Sequence, residues 1–289
     1  MPKTILVTGA TGLLGCTLVP HLRSLGHDVV ACGRDRGDLR VDLRDAMQVK
    51  RAIDTAAADV VINLAGATNV DDCEKDPQAA YEVNVLAVEN LVHAMDHGRA
   101  RLVQVSTDHV YDGPGPHVEH EVTIRNQYAM SKLAGEQAAL RLGERTAVLR
   151  TNFVGRSQCE RRQSFSDWIV EAAREGKPIE IFTDVRFSPL RMRTLSAMLA
   201  QVAEVSGPHG VFNLGATTAM SKAHFARALA ESLGLPQAHM RDARLQDRQL
   251  PAPRPRGMAM DCGRFAQAFG VRLPHLEEEV KALAQEYNA

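Results

Sequence analysis

The stretch "TILVTGATGLLG", residues 4–15, runs from an apolar, β-branched segment straight into three glycines, Gly9, Gly12 and Gly15. Their G-x-x-G-x-x-G spacing is one residue longer at the first gap than the G-x-G-x-x-G form, and the physics is the same. Glycine permits a tight turn and lets the backbone approach a pyrophosphate, and the following helix offers its N-terminus to the negative charge. A strand before the turn, a helix after it and a longer alternation beyond supply the context such a turn requires. The bland alternative is an ordinary tight loop between a strand and a helix.

From this turn outward the chain alternates. The pattern predicts strands at 4–9, 28–32, 59–66, 101–107, 147–152, 178–182 and 211–215. Helices are predicted near 13–25, 45–57, 77–96, 127–142, 163–175, 193–205 and 221–234. Strands alternating with helices imply βαβ units. The first strands are apolar without a period of two, as expected of strands covered on both faces. The expected fold class is α/β: a Rossmann doubly wound parallel sheet with a smaller C-terminal substrate-binding lobe. Residues 1–152 are assigned to the NAD(P)-binding domain, with 178–215 partly returning to its sheet, and 153–177 with 216–289 to the lobe. "LPAPRPRG" (250–257) reads as an extended loop, since Pro removes donors and biases the residue before it toward β. Trp168 is expected in the core of a helix face, and Leu276, Val280 and Leu283 on one buried face of a final helix that caps the lobe or pairs in a homodimer.

Composition excludes several classes. The 289 residues are 45% hydrophobic and 24% charged, with ample length for a buried core. A formal net charge of -1 gives no bulk field favouring nucleic acid or an anionic membrane. No apolar run approaches the roughly 18 residues of a membrane span. "MPKTILVTGA" reads as a strand rather than a signal peptide. Five scattered cysteines without a CxxC pair suggest reduced thiols and a cytoplasmic location. His93 and His97 have helical metal-ligand spacing but suggest no third ligand, and a helix C-terminus favours His anyway, so no metal is expected.

The second apolar run ends in "ACGRDR" (31–36). A carboxylate roughly 20 residues past the glycines would favour NAD, whereas Arg suits a 2′-phosphate. Arg34, with Arg36 beyond, favours NADP(H) over NAD(H); Asp35 argues the other way, and solvated loop charges are the alternative.

The run "RLVQVST" (101–107) brings Ser106 and Thr107 to where a doubly wound sheet meets its ligand. Further on, "YAMSK" (128–132) sets Tyr128 and Lys132 four apart, on one helix face. An ammonium one turn from a phenol favours the phenolate. An acid–base set follows. Tyr128 protonates a carbonyl oxygen, Lys132 tunes it and holds the cofactor ribose, and Thr107 positions the substrate for hydride from a nicotinamide. Alone, Tyr and Lys at this spacing are an ordinary helix start. The glycine turn, the hydroxyl strand end and the Tyr-Lys helix, in that order, are jointly specific.

With these residues in view, nearly the whole chain resembles the extended short-chain dehydrogenase/reductases, and within them the dTDP-4-dehydrorhamnose reductase group. The likeness rests on "NLAGATNVDDCEKDPQAAYEVN" (63–84), "STDHVYDG" (106–113), "YAMSKLAGE" (128–136), "LRTNFVG" (149–155) and "RPRGMAMD" (254–261). The resemblance implies reduction of the C4 ketone of a nucleotide-linked 4-keto-6-deoxy sugar. It places Gly9, Thr11, Gly12, Leu13, Leu14 and Gly15 at the cofactor pyrophosphate and Arg34 on the adenosine ribose side. Asp42 and Leu43 would flank the adenine, and Leu64, Ala65, Gly66 and Asn84 would line the cofactor with Tyr128 and Lys132. Thr68, Thr107 and Asp108 would meet the sugar, Phe153 both ligands, and Arg254 the nucleotide diphosphate. A guanidinium fork suits that last role, with a solvated basic loop as the alternative.

The chain departs from the group at His109, at Gly257 and Met258, and at Arg186, Phe187 and Arg191, which bears on the sugar and its nucleotide. Other readings are a 4,6-dehydratase, with His109 where that class has its Glu, and an epimerase that retains NAD. A different class is a non-catalytic NADP-binding subunit resembling the methionine adenosyltransferase β subunit.

Overall fold

The computed structural model describes residues 1–160 and 162–289. Its strands are β1 (Thr4–Thr8), β2 (Asp28–Gly33), β3 (Leu39–Arg40), β4 (Val60–Asn63), β5 (Arg101–Thr107), β6 (Thr146–Thr151), β7 (Phe153–Val154), β8 (Ile179–Phe182), β9 (Arg186–Phe187), β10 (Leu190–Arg191), β11 (Gly210–Leu214), β12 (Met220–Ser221) and β13 (Met240–Ala243). The helices are α1 (Leu13–Ser24), α2 (Ala46–Ala56), α3 (Val70–Lys75), α4 (Pro77–Tyr81), α5 (Ala87–Met95), α6 (Gln127–Leu140), α7 (Phe165–Glu175), α8 (Met192–Glu204), α9 (Lys222–Ser232), α10 (Gly263–Phe269) and α11 (Leu276–Asn288). Among the described residues no helix is long and apolar enough to cross a membrane.

Seven strands form one sheet in the order β11-β6-β5-β4-β1-β2-β3. The pairs β1/β2, β1/β4, β2/β3 and β4/β5 are parallel. The order reverses between β1 and β4, which is where a doubly wound sheet opens a crevice at its carboxyl ends. β3 is too short for a periodic signal. The segment Ile179–Phe182 pairs in parallel with β13 in a separate two-stranded sheet. Of the segment expected to return to the main sheet, β11 is the part that does so.

The chain divides into two compact units. One comprises residues 1–107, 126–150 and 196–212; the other comprises 108–125, 151–195 and 213–289.

In the first unit, Leu6, Val61, Leu102 and Val148 come from four adjacent strands. They meet Val49 of α2, Leu91 and Met95 of α5, and Ala138 and Ala139 of α6, all buried. Burying each large aliphatic side chain contributes about 1.5–3 kcal/mol. All six residues of β6 are buried, as expected of a strand covered on both faces, including the polar Thr146, Arg150 and Thr151.

The predicted helix 77–96 is broken by a π-helical turn, Glu82–Leu86, between α4 and α5. Such turns insert one extra residue and often mark functional sites. This one carries the buried Asn84. A Cβ on Gly135 would collide with the Asn84 carbonyl oxygen, so α6 rests directly on the π-turn backbone.

Beneath α6 lies a buried ion pair. Arg150 on β6 donates to both carboxylate oxygens of Glu136, with Nε at 3.0 and 3.1 Å and Nη2 at 2.7 Å. Ser106 donates to the same carboxylate at 2.5 Å. Ser106 is therefore turned toward Glu136 and does not face a ligand crevice, as its strand-end position suggested.

In the second unit, Phe187 and Phe225 meet edge-on at 5.5 Å, and Phe165 stacks on Phe225 at 6.0 Å. Trp168 stacks on Phe165 but remains exposed, contrary to the expected core position. Leu276, Val280 and Leu283 of α11 form its buried face. Arg191 pairs with Glu279 and Glu286 of the same helix, which gives this departure from the group a structural role. Gly257 is explained as well: a Cβ there would overlap the backbone of Gly113. Cys32, Cys73 and Cys262 are buried free thiols, whereas Cys16 and Cys159 are disulfide-bonded, a departure from the expected all-reduced set.

Gly135→Ala is expected to destabilise the protein by about 1–3 kcal/mol, because the neighbour it would strike is backbone. An unchanged urea midpoint would show that α6 does not press on the π-turn. Glu136→Gln, which removes the carboxylate charge from a buried guanidinium, is expected to lose about 3–5 kcal/mol, while Glu136→Leu combined with Arg150→Met loses far less. Denaturation of the single and double variants checks this, and equal losses would contradict it.

Candidate active site

The glycine turn is dictated by backbone proximity. Gly9 has φ +64°, and a Cβ there would lie 2.7 Å from Ala65 N and 2.8 Å from Leu64 C. A Cβ on Gly15 would lie 2.5 Å from Ala10 O. Gly12 is the extended N-cap of α1, and no side chain caps the helix. No acidic residue stands in its first turn. The donor set fits a pyrophosphate, since nothing anionic competes for the helix end. Leu14 is buried, so it anchors the helix and offers a ligand its backbone; Leu13 is half-buried. Thr11 abuts the end of β2, where a Cβ on Gly33 would come within 3.1 Å of its side chain.

Arg34 lies beyond β2 with 71% of its side chain exposed, and its Nε is 3.8 Å from Asp35. Asp42 accepts from Arg44 Nε at 3.0 Å and Nη2 at 2.7 Å, and this bonding holds its carboxyl below the usual range. Leu43 packs against the core and its carbonyl accepts from Asn90 at 2.9 Å.

The segment after β4 is pinned from both sides. Asn63 Oδ1 accepts from Thr8 Oγ1 at 2.5 Å and from Ala65 N at 3.1 Å. Asn63 Nδ2 donates to Gln104 Oε1 at 2.7 Å. This buried rung across β4, β1 and β5 fixes Leu64 and Ala65 beside the glycine turn. Asn84 then holds the next residues: its Oδ1 accepts from Ala67 N at 2.8 Å, and its Nδ2 donates to Ser131 Oγ at 2.9 Å. A Cβ on Gly66 would lie 3.2 Å from Asn84 Oδ1 and 3.6 Å from Lys132 Nζ. Thr68 is exposed.

Helix α6 starts at Asn126, whose side chain accepts from Ala129 N at 2.8 Å. Tyr128 and Lys132 are both buried, Tyr128 against Cys73 and Ala80. Lys132 Nζ donates to Val105 O at 2.9 Å, two residues before Thr107 at the buried end of β5. Burial pulls the Lys132 ammonium down to about 8, partly countered by the charge of Glu136. Sequence reading missed Asn63, Gln104, Ser131, Glu136 and Arg150. Glu136 had a local signal, since it follows Lys132 by four residues on one helix face. The others act through long-range bonds that leave no local pattern.

The second unit carries the remaining residues. Asp108 is buried and accepts from Asn152 Nδ2 at 2.7 Å. His109 beside it is lowered to about 3 by burial, then by the charges of Lys222 and Arg254, so its imidazole is neutral at neutral pH. Phe153 is half-buried on β7, which pairs with β10. Arg254 donates to Ala252 O at 2.8 Å and borders a cavity of about 640 Å³ that Arg125, Arg248 and Arg256 also line. The two sets support different tasks: a hydroxyl–phenol–ammonium group in one unit, and a cationic, oxygen-binding group in the other.

The chain is 32% identical over 276 residues to the dTDP-4-dehydrorhamnose reductase of Mycolicibacterium smegmatis, covering 93% of this chain and 81% of that one. It is 29% identical over 296 residues to the methionine adenosyltransferase 2 subunit beta of Xenopus laevis, covering 94% and 84%. The crystal structure of dTDP-4-dehydrorhamnose reductase from Bacillus anthracis in complex with NADP shares the fold, with a TM-score of 0.90 at 24% identity and coverage of 99% and 100%. The family described as the RmlD substrate binding domain matches residues 3–289, and the chain belongs to that family.

Proposed function

We propose that the protein is a nicotinamide-dependent reductase of the C4 ketone of a nucleotide-linked 4-keto-6-deoxy sugar. The observation that carries this reading is the buried Lys132, four residues after Tyr128 on α6 and anchored at 2.9 Å to the strand that ends in Thr107. The similarity to a dTDP-4-dehydrorhamnose reductase supports the substrate class.

Bound reduced nicotinamide supplies the hydride taken by the C4 carbon. Tyr128 gives its phenolic proton to the ketone oxygen, completing the hydroxyl. Lys132 has three N–H donors, and one is fixed on Val105 O. In this reading the others serve the phenol and the cofactor ribose. The positive charge favours the phenolate left on Tyr128. Thr107 orients the ketone. The backbone of Gly12, Leu13 and Leu14 would hold the pyrophosphate, with Gly9, Thr11 and Gly15 shaping the turn. Leu64, Ala65, Gly66 and Asn84 would line the nicotinamide half, and Asp42 and Leu43 the adenine. The exposed guanidinium of Arg34 supports NADP(H) over NAD(H), since it is open to a 2′-phosphate. Thr68, Asp108, Phe153 and Arg254 would bind the nucleotide sugar. This reading includes a cytoplasmic location and a homodimer.

A second reading has one observation in its favour, the 29% identity to a methionine adenosyltransferase β subunit. Such a protein would bind the cofactor without turnover.

NADPH oxidation with dTDP-4-keto-6-deoxyglucose, before and after 3,5-epimerisation, separates the two. Tyr128→Phe is expected to lower kcat by about 10²–10⁴-fold with NADPH affinity retained. Undiminished turnover in that variant would remove Tyr128 as the acid, and wild-type protein that binds NADPH without turnover would support the regulatory reading. The protonated Lys132 is the active form, so kcat/KM is expected to fall as pH rises through about 8. A rate flat to pH 10 would exclude that role.

A further inference from the structure

Lys222 begins α9, in the second unit, and the catalytic reading above leaves it unused. Its Nζ lies 5.3 Å from the ring centroid of Phe165 and 6.0 Å from that of Phe187. Both rings belong to the aromatic cluster of this unit, Phe187 buried and Phe165 half-buried, so the ammonium rests on an aromatic floor. Among the described residues it has no hydrogen-bond acceptor and no carboxylate at ion-pair distance. Its electrostatic neighbours are Asp108, His109 and Arg254. Asp108 already accepts from Asn152 at 2.7 Å.

Among the described residues the ammonium is held without a hydrogen-bonded anion of its own. Burial strips water from the ammonium and Arg254 repels it, whereas Asp108 and the two ring faces attract it; burial outweighs the opposing charge, and the pKa is lowered. A helix N-terminus adds a further opposing field. An ammonium held at such a disadvantage, beside a second cation, is arranged for an anion.

We propose that Lys222 and Arg254 together bind the diphosphate of the nucleotide sugar, making Lys222 a substrate-binding residue. The inference rests on the nucleotide-sugar reading above. A diphosphate suits this pair because it carries oxygens on two phosphorus atoms and at least two negative charges, matching two cations separated in sequence. The neutral His109 adds no opposing charge and leaves Asp108 as the group facing the sugar hydroxyls.

The test is calorimetric titration of inorganic pyrophosphate, and separately of NADPH, into wild type, Lys222→Met and Lys222→Arg. Loss of one charge-assisted contact is expected to weaken pyrophosphate binding about tenfold or more in Lys222→Met. Lys222→Arg is expected to retain most of the affinity, and all three proteins to bind NADPH equally, which separates a substrate diphosphate from the cofactor's. Lys222→Met should melt at or above the wild-type temperature, since it removes a desolvated charge. With substrate, that variant should raise KM more than it lowers kcat. Equal pyrophosphate affinity in wild type and Lys222→Met, in a protein that turns over the nucleotide sugar, overturns the proposal and leaves the reductase reading intact. Loss of pyrophosphate affinity in a protein that turns over no nucleotide sugar upholds the anion site and defeats the reductase reading.

Discussion

One buried carboxylate organises the first unit. Glu136 receives Arg150 from β6 and Ser106 from β5, and it lies one helical turn from Lys132. A carboxylate with no exposure is tolerable only when paired and fully hydrogen-bonded. Satisfying it locks α6 to two strands at once. That lock sets the height of Lys132 against Val105 O and the direction in which β5 delivers Thr107. The same charge opposes the loss of the Lys132 proton that burial promotes.

The second constraint is contact between backbones. Gly9 against Leu64 and Ala65, and Gly135 against Asn84, are approaches that any side chain would block. They bring the glycine turn to the segment after β4, and α6 to the π-turn. The polar rung from Thr8 through Asn63 to Gln104 then ties the carboxyl ends of β1 and β4 to the middle of β5. The crevice of the sheet is therefore rigid where a dinucleotide would lie.

The parallel sheet was legible because its strands are covered on both faces and read as unbroken apolar runs between helical patterns. The Tyr128–Lys132 pair was legible because helical spacing is local. β3, β7, β9, β10 and β12 were not, since two residues carry no period. α3 and the break in the helix at Glu82–Leu86 also escaped, the latter because a π-turn changes hydrogen bonding without changing composition. Trp168 misled because aromatic bulk suggests burial, yet its stacking on Phe165 leaves one face in solvent. Lys222 gave no sign at all. Its significance lies in the rings beneath it and in the residues that converge from distant parts of the chain.

The overlap that a side chain at Gly257 would make with Gly113 joins two distant segments. Asp112 reinforces the junction by accepting from Arg256 N at 2.8 Å and Gly257 N at 3.3 Å. The turn that follows Asp108 and the loop that carries Arg254 are thus a single mechanical piece. If Asp108 meets the sugar and Arg254 the diphosphate, as proposed, the two contacts are inherited together. Grafting the arginine loop from a relative without its partner turn would import a residue at 257 that the glycine at 113 cannot accept, so the two segments must be exchanged as a pair.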